Sequence, residues 1–262
     1  MTWSTRAGCS GRPGIAAALS PTVRIAGIDE AGRGPVVGPM VIAGVLLDES
    51  ALEELTRIGV RDSKKLSPSR RRAIAEELRA LPGIIIHEEV IPPSDIDAAV
   101  RDRAMTLNGL EISRMARIVE TLAPHRVYID LIGPSAEKFC SSLRRLLSDN
   151  PVIVAEHKAD STYPITAAAS IIAKTRRDAE IETLNETYEE RFGPLGSGYP
   201  GDPKTIAFLA RARADEGNGA EHIFRRTWST YTASSTCSMI APASLKTTPM
   251  QSIRRSMESG TS

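Results

Sequence analysis

Five short runs of apolar, often β-branched residues constrain this chain more than anything else in it. Helical patterns follow the third, fourth and fifth, and the combination calls for an α/β domain on a mixed sheet flanked by helices. Residues 23–29 alternate and end on Asp29. Residues 41–47 form the second run, within hairpin reach across a turn containing Gly32, Gly34, Pro35 and Gly38. Residues 84–90, 126–130 and 152–155 supply the other three. Residues 52–58 read as a short helix, and Ser67-Pro68 as the cap and first turn of a helix to about residue 81. Residues 95–122 read as mainly helical, with Met105, Ile112, Met115, Val119 and Leu122 on one stripe that also carries an inward-facing Asn108. Further helices are expected over residues 135–147, 165–192 and 204–215, with a Gly/Pro loop over 193–203. The divisions expected are a disordered leader (1–22), the main domain (23–192), a C-terminal helical extension (193–228) and a Ser/Thr-rich disordered tail (229–262).

The formal charge is only +1, so any surface for phosphates has to be local. Aromatics are 4%, which leaves packing to Ile, Val, Leu and Ala. Cys9, Cys140 and Cys237 are odd in number and far apart, giving neither a disulfide framework nor zinc spacing. A reducing, cytoplasmic setting and a monomer are expected. No apolar run reaches the roughly 18 residues that span a bilayer, so no membrane partner is expected. The apolar stretch at 14–19 is short for a signal peptide.

Acids close several strands. Asp29 and Glu30 follow the first, Asp130 ends the fourth, and Asp160 lies just past the fifth. Carboxyl ends of neighbouring strands converge on one crevice in such sheets. Crowded carboxylates repel unless a divalent cation offsets them, and Mg²⁺ or Mn²⁺ takes oxygen ligands. Any one of these acids alone is more often a turn residue or a helix cap than a ligand, and Glu156 and Asp178 are as readily solvated. Adjacent residues of a strand point to opposite faces, so Asp29 and Glu30 serve one site only if the chain leaves the strand there, as Gly32 and Gly34 would permit.

The run from Gly27 to Pro39, GIDEAGRGPVVGP, resembles the opening motif of type 2 ribonuclease H (ribonuclease HII). Asp62-Ser63-Lys64-Lys65-Leu66-Ser67, Lys158-Ala159-Asp160, Ala168 to Lys174 with Arg177-Asp178, and Gly198-Tyr199-Pro200 are similar to its later blocks, in the family's order. Ser161-Thr162-Tyr163 and Gly201-Asp202-Pro203 look archaeal rather than bacterial. One departure is Leu131-Ile132-Gly133-Pro134 after Asp130, which differs from the stretch expected of archaeal members. The resemblance implies a ribonuclease H-like fold with the C-terminal extension. It implies Asp29, Glu30, Asp130 and Asp160 as catalytic residues and ligands of two Mg²⁺ or Mn²⁺ ions. The substrates implied are RNA/DNA hybrids and duplex DNA with embedded ribonucleotides, cut to 3′-hydroxyl and 5′-phosphate ends. A resolvase of related fold and a non-catalytic hybrid-binding protein are the competing readings.

Substrate contacts are expected from Gly32, Arg33, Gly34, Ser63, Lys64, Ser170, Lys174 and Tyr199. The glycine turn suits close approach to a ribose, and in the resembling family it recognises the ribonucleotide; by itself it is more often a glycine-rich hairpin. The family's matching tyrosine reads the deoxyribose that follows. Ser170, Lys174 and Arg177 share a helix face. Arg70, Arg71 and Arg72 read as a solvated face, His157 as structural, and Arg225 and Arg226 as a small basic patch on the duplex. Gln251-Ser252-Ile253 has no aromatic pair after it, so no sliding-clamp peptide is read there.

Overall fold

The protein is described by a computed structural model, in which residues 22–60, 66–101, 105–215, 217 and 219–233 are placed well enough to discuss. The leader, most of the tail, and Ser63, Lys64 and Lys65 therefore lie outside the described residues. Five strands, β1 (Arg24–Ala31), β2 (Met40–Asp48), β3 (Ile85–Ile91), β4 (Arg126–Asp130) and β5 (Val152–Glu156), form one sheet in the order β3-β2-β1-β4-β5. The β1–β2 and β2–β3 pairs are antiparallel, and β1–β4 and β4–β5 are parallel. The expected mixed sheet is thus present, with β1 at its centre.

Strand alternation sorts the side chains into two cores. Ala26, Ile28 and Ile42 join Met115, Ile118 and Leu122 of α4 (Leu107–Leu122) and Phe139 and Leu143 of α5 (Ala136–Arg144). On the other face Ile25, Val41 and Val45 meet Ile165, Ala168 and Ile172 of α7 (Pro164–Phe192), with Leu55 of α1 (Leu52–Ile58) and Ile74 of α2 (Pro68–Arg79). Each of the Val, Leu, Ile, Phe and Met side chains among them contributes about 1.5–3 kcal/mol by leaving water. Ser67 caps α2 as its position before Pro68 predicts, accepting from the Arg70 N–H at 3.2 Å. A third core joins Val36 and Val37 of the β1–β2 turn to Phe192, Phe208 and Phe224. The region after α7, with α8 (Pro203–Ala214) and α9 (Ser229–Ala233), is therefore packed onto that turn and shares its core.

Several boundaries differ from the sequence expectation. β1 runs to Ala31, with Glu30 opposite Ile42 and Ala31 opposite Val41, so the chain does not leave the strand at Asp29. The span 95–122 is two helices, α3 (Pro93–Arg101) and α4, because Thr106 caps α4 by accepting from the Gly109 N–H. Met105, ahead of that cap, is 41% exposed and not on the apolar stripe. Asn108 is half-buried and engaged by Arg33 rather than sunk in the core. Residues 229–233 are helical, although composition placed them in the tail.

β1 and the start of α7 lie in contact only because residue 27 is glycine. A Cβ there would fall 2.3 Å from the Ile165 carbonyl carbon, which is backbone and cannot swing aside. Gly27→Ala is expected to cost about 1–3 kcal/mol or more, a fall in Tm of at least about 3 °C for a domain of this size. Gly201→Ala, with nothing within 4 Å, should leave it unchanged. Thermal unfolding followed by circular dichroism checks both, and an unshifted Gly27→Ala would contradict this packing.

Candidate active site

Two of the acids follow directly on the end of the parallel β1–β4 pairing. The last paired residues are Ile28 and Ile129, and Asp29 and Asp130 come one step later. Beyond β5, Lys158 takes a left-handed conformation (φ 60°) and turns the chain into α6 (Ala159–Thr162). The Ala159 N–H then donates to the Asp130 carboxylate at 3.0 Å, tying the residue next to Asp160 to the end of β4. Asp29 is 4% and Asp160 2% exposed.

Asp29 and Glu30 leave β1 on opposite faces. Asp29 turns to α7, where the Ser170 side chain hydrogen-bonds it and Lys174 is a nearby cation. Lys174 Nζ donates to Ser170 Oγ at 2.8 Å. Glu30 turns to the α4 side, toward Glu111. The two acids therefore flank the end of the strand, and a shared site must straddle the sheet's edge.

Their protonation reflects crowding. Burial first, then the charge of Asp130, raises Asp29 to about 7 against the Ser170 bond and Lys174. Burial followed by Asp29, Glu111 and Asp130 raises Glu30 well above an ordinary glutamate. Burial raises Glu111 to about 7, opposed by Arg33. Glu30 Oε2 is buried without a hydrogen-bond partner. An all-oxygen set carrying excess negative charge and an orphaned carboxylate oxygen fits a hard divalent cation. Among the described residues, no three acids are grouped closely enough to enclose an ion unaided. Mg²⁺ suits such a set, since it draws part of its shell from water and phosphate.

A cleft of about 470 Å³ opens beside Glu30, walled by Gly32, Arg33, Gly34, Lys174 and Tyr199, with Arg71, Arg177 and Asp178. Asp29, Asp130 and Asp160 are not among its walls. Gly32 has φ +82°, and a Cβ there would meet Arg177 Cδ at 2.5 Å. The Tyr199 ring stands across from Gly34, 3.6 Å from where a Cβ would sit, and is 42% exposed. Arg177 lies 5.1 Å from that ring's centre and donates to the Ser197 carbonyl.

What holds the turn was missed in the sequence. Arg225 is not on the surface; its side chain is fully buried and donates to the carbonyls of Gly32, Arg33 and Gly38. Burial and neighbouring Arg177 pull its pKa down to about 9. Trp228 Nε1 donates to the Gly34 carbonyl, and buried Asp97 accepts from the backbone of Arg226 and Thr227. Of the expected basic patch only Arg226 is exposed. Arg33 pairs with fully buried Glu111 at 2.9 Å and donates to Asn108. Glu111 had a visible signal: with Met115, Ile118 and Leu122 it follows the spacing of an apolar stripe, where a charge needs a partner. Of Arg70, Arg71 and Arg72, Arg71 pairs with Asp178 and lines the cleft, whereas Arg72 is a surface ion pair with Glu182. His157 is exposed and takes no part.

Crowding makes stability depend on pH with a definite sign. Folded Asp29 keeps its proton to about pH 7, whereas its ordinary value is 3.8. Folding is thus favoured at low pH and loses free energy as pH climbs from about 4 through 7. Without divalent ions, Tm should fall between pH 5 and pH 8. Asp29→Asn should flatten much of that fall and melt above the parent at pH 8. Mg²⁺ should restore the parent's Tm at pH 8. A pH-independent Tm, or Asp29→Asn destabilised at pH 8, would contradict the electrostatics.

The family model described as Ribonuclease HII matches residues 26–231. Ribonuclease HII of Thermococcus sibiricus is 45% identical over 210 residues, covering 79% of this chain and 89% of the relative. That of Methanothermobacter thermautotrophicus is 42% identical, covering 79% and 97%. The solved ribonuclease H2 of Pyrococcus horikoshii OT3 superimposes with TM-score 0.71 at 36% identity, over 82% of this chain and 98% of that one. RNase HII in the solved PCNA:RNase HII complex of Archaeoglobus fulgidus gives 0.67 at 40% identity, over 77% and 92%. Bst-RNase HIII, solved in complex with Mn²⁺, gives 0.65 at 20% identity, a likeness of fold, over 82% of this chain and 70% of that one. The chain belongs to the ribonuclease HII family, in its archaeal form, and is an endoribonuclease.

Proposed function

We propose that this protein hydrolyses the RNA strand of RNA/DNA hybrids and cuts on the 5′ side of ribonucleotides embedded in duplex DNA, leaving 3′-hydroxyl and 5′-phosphate ends. The observation that carries the reading is the narrow space between the Gly32–Gly34 turn and Tyr199, opening beside Glu30. Only RNA has a 2′-hydroxyl, so an enzyme selecting RNA must approach the sugar closely. The turn's carbonyls at 32, 33 and 34 already accept from Arg225 and Trp228. That leaves the turn's peptide N–H groups as donors for a ribose hydroxyl. A side chain at position 34 would close the gap to Tyr199.

Asp29, Glu30, Asp130 and Asp160 are the residues to hold divalent cations, Mg²⁺ or Mn²⁺, which when bound would activate water and stabilise the leaving oxygen, two ions serving both ends of the broken bond. Ser170 and Lys174 favour the ionised form of Asp29 and so prepare it as a ligand. Arg71 and Lys174 line the cleft wall and would meet a backbone phosphate there. Tyr199, steadied by Arg177, offers its ring to the sugar after the ribonucleotide.

Asp29→Asn should abolish cleavage of a fluorescent hybrid in Mg²⁺ while hybrid binding persists; full turnover would refute the assignment. Matched substrates with an RNA or an all-DNA strand separate this reading from a DNA-junction resolvase, which has no need of a 2′-hydroxyl. Tyr199→Ala should slow cleavage at a single embedded ribonucleotide by about tenfold or more, ring contacts with nucleotides being worth about 1–3 kcal/mol. An equal loss on long hybrids would contradict a junction role.

A further inference from the structure

A second groove of about 470 Å³ lies between α4 and α5. It starts close to the cleft, because Asn108, on its wall, accepts from Arg33 of the glycine turn. Gly133, which leads from β4 to α5, packs on the same residue: a Cβ there would sit 3.0 Å from Asn108 Nδ2. From that point the wall is one face of α5. Ser135, Lys138, Ser142 and Arg145 follow spacings of three, four and three, so hydroxyl and cation alternate along a single stripe.

The stripe's charges are uncommitted. Among the described residues, neither Lys138 nor Arg145 meets a carboxylate; Arg145 donates to Ser142 Oγ at 3.1 Å, which aims it along the groove. Elsewhere Arg71, Arg72, Arg79, Arg114 and Arg126 are each ion-paired. On a chain of net charge +1, two free cations in one groove form a local positive surface. They stand seven residue steps apart, or about 10 Å along the helix axis, which is about three base steps at 3.4 Å per strand.

We infer that the α4–α5 groove is a binding track for the sugar-phosphate backbone of the nucleic acid, reached from the cleft past Asn108, with Lys138 and Arg145 contacting phosphates a few nucleotides from the cut. The inference rests on the proposed nuclease function, and deepens it by extending the footprint to a surface beyond the cleft.

The test is the salt dependence of kcat/KM on a fluorescent hybrid in Mg²⁺. Each phosphate contact contributes a slope of about −0.9 in a log–log plot. Lys138→Ala/Arg145→Ala should make the slope shallower by about 1 to 2 and lower kcat/KM at low salt. Arg57→Ala/Arg79→Ala, on helices of the opposite face, should change neither slope nor rate as much. Two truncated hybrids, each ending near the cleaved phosphate on one side, add a readout that misfolding would not move. The α5 variant should match the parent on one truncated hybrid, because the nucleotides that reach the groove are gone. An unchanged slope, or an equal defect on every substrate, overturns the track while leaving the nuclease reading intact. An unaltered protein that cleaves no hybrid overturns both.

Discussion

Like charge confined at the end of a strand is the constraint on which this molecule turns. Glu30 feels the charges of Asp29, Glu111 and Asp130, Asp29 feels that of Asp130, and burial pushes Asp29, Glu30 and Glu111 each toward its protonated form. The fold supplies only partial relief. Lys174 and Ser170 act on Asp29, and Arg33 acts on Glu111 and Glu30, but Glu30 Oε2 is left with no partner. Sites that tolerate such frustration are commonly functional. Here the frustration is of the kind a hard cation relieves.

The second organising element is a buried guanidinium. Leaving a charged arginine inside a protein is costly unless its donors are satisfied. Arg225 meets the condition with backbone carbonyls of the very turn that lines the cleft. The bridge between Val37 and Phe224 and the shared apolar core bind the same two segments. The region after α7 is thus the back wall of the glycine turn. Because Gly32 also packs on Arg177, which sits against Tyr199, the two sides of the cleft are braced through one another.

Much of this was legible in the sequence. The five strands, the helix capped at Ser67 and the long α7 follow from alternation, capping chemistry and periodicity. The family motifs pointed to the acids, the glycine turn and Tyr199, most of which share a cleft or an electrostatic neighbourhood. Long-range partnership was not legible. Arg225 lies 192 residues from Arg33 in the chain, and an arginine near a chain end looks solvated until the fold is known. The split between α3 and α4 was hidden because both halves keep helical composition, and Thr106 marks the break only once its side chain is seen capping. The extra length of β1 was hidden by the assumption that the glycines bend the chain early, whereas pairing with β2 persists through Ala31.

Burial and mutual repulsion raise the carboxylates at the end of β1 above their ordinary values, and a bound divalent cation would displace their protons. Calorimetric titration of Mg²⁺ or Mn²⁺ into the protein near pH 7, repeated in buffers of different ionisation enthalpy, measures this directly. Cation binding should release protons, so the apparent enthalpy should vary linearly with the buffer's ionisation enthalpy. Asp29→Asn should reduce the number released. Tight binding with the same enthalpy in every buffer would show that the acids are already ionised, and no binding at all would show that they are not a cation site.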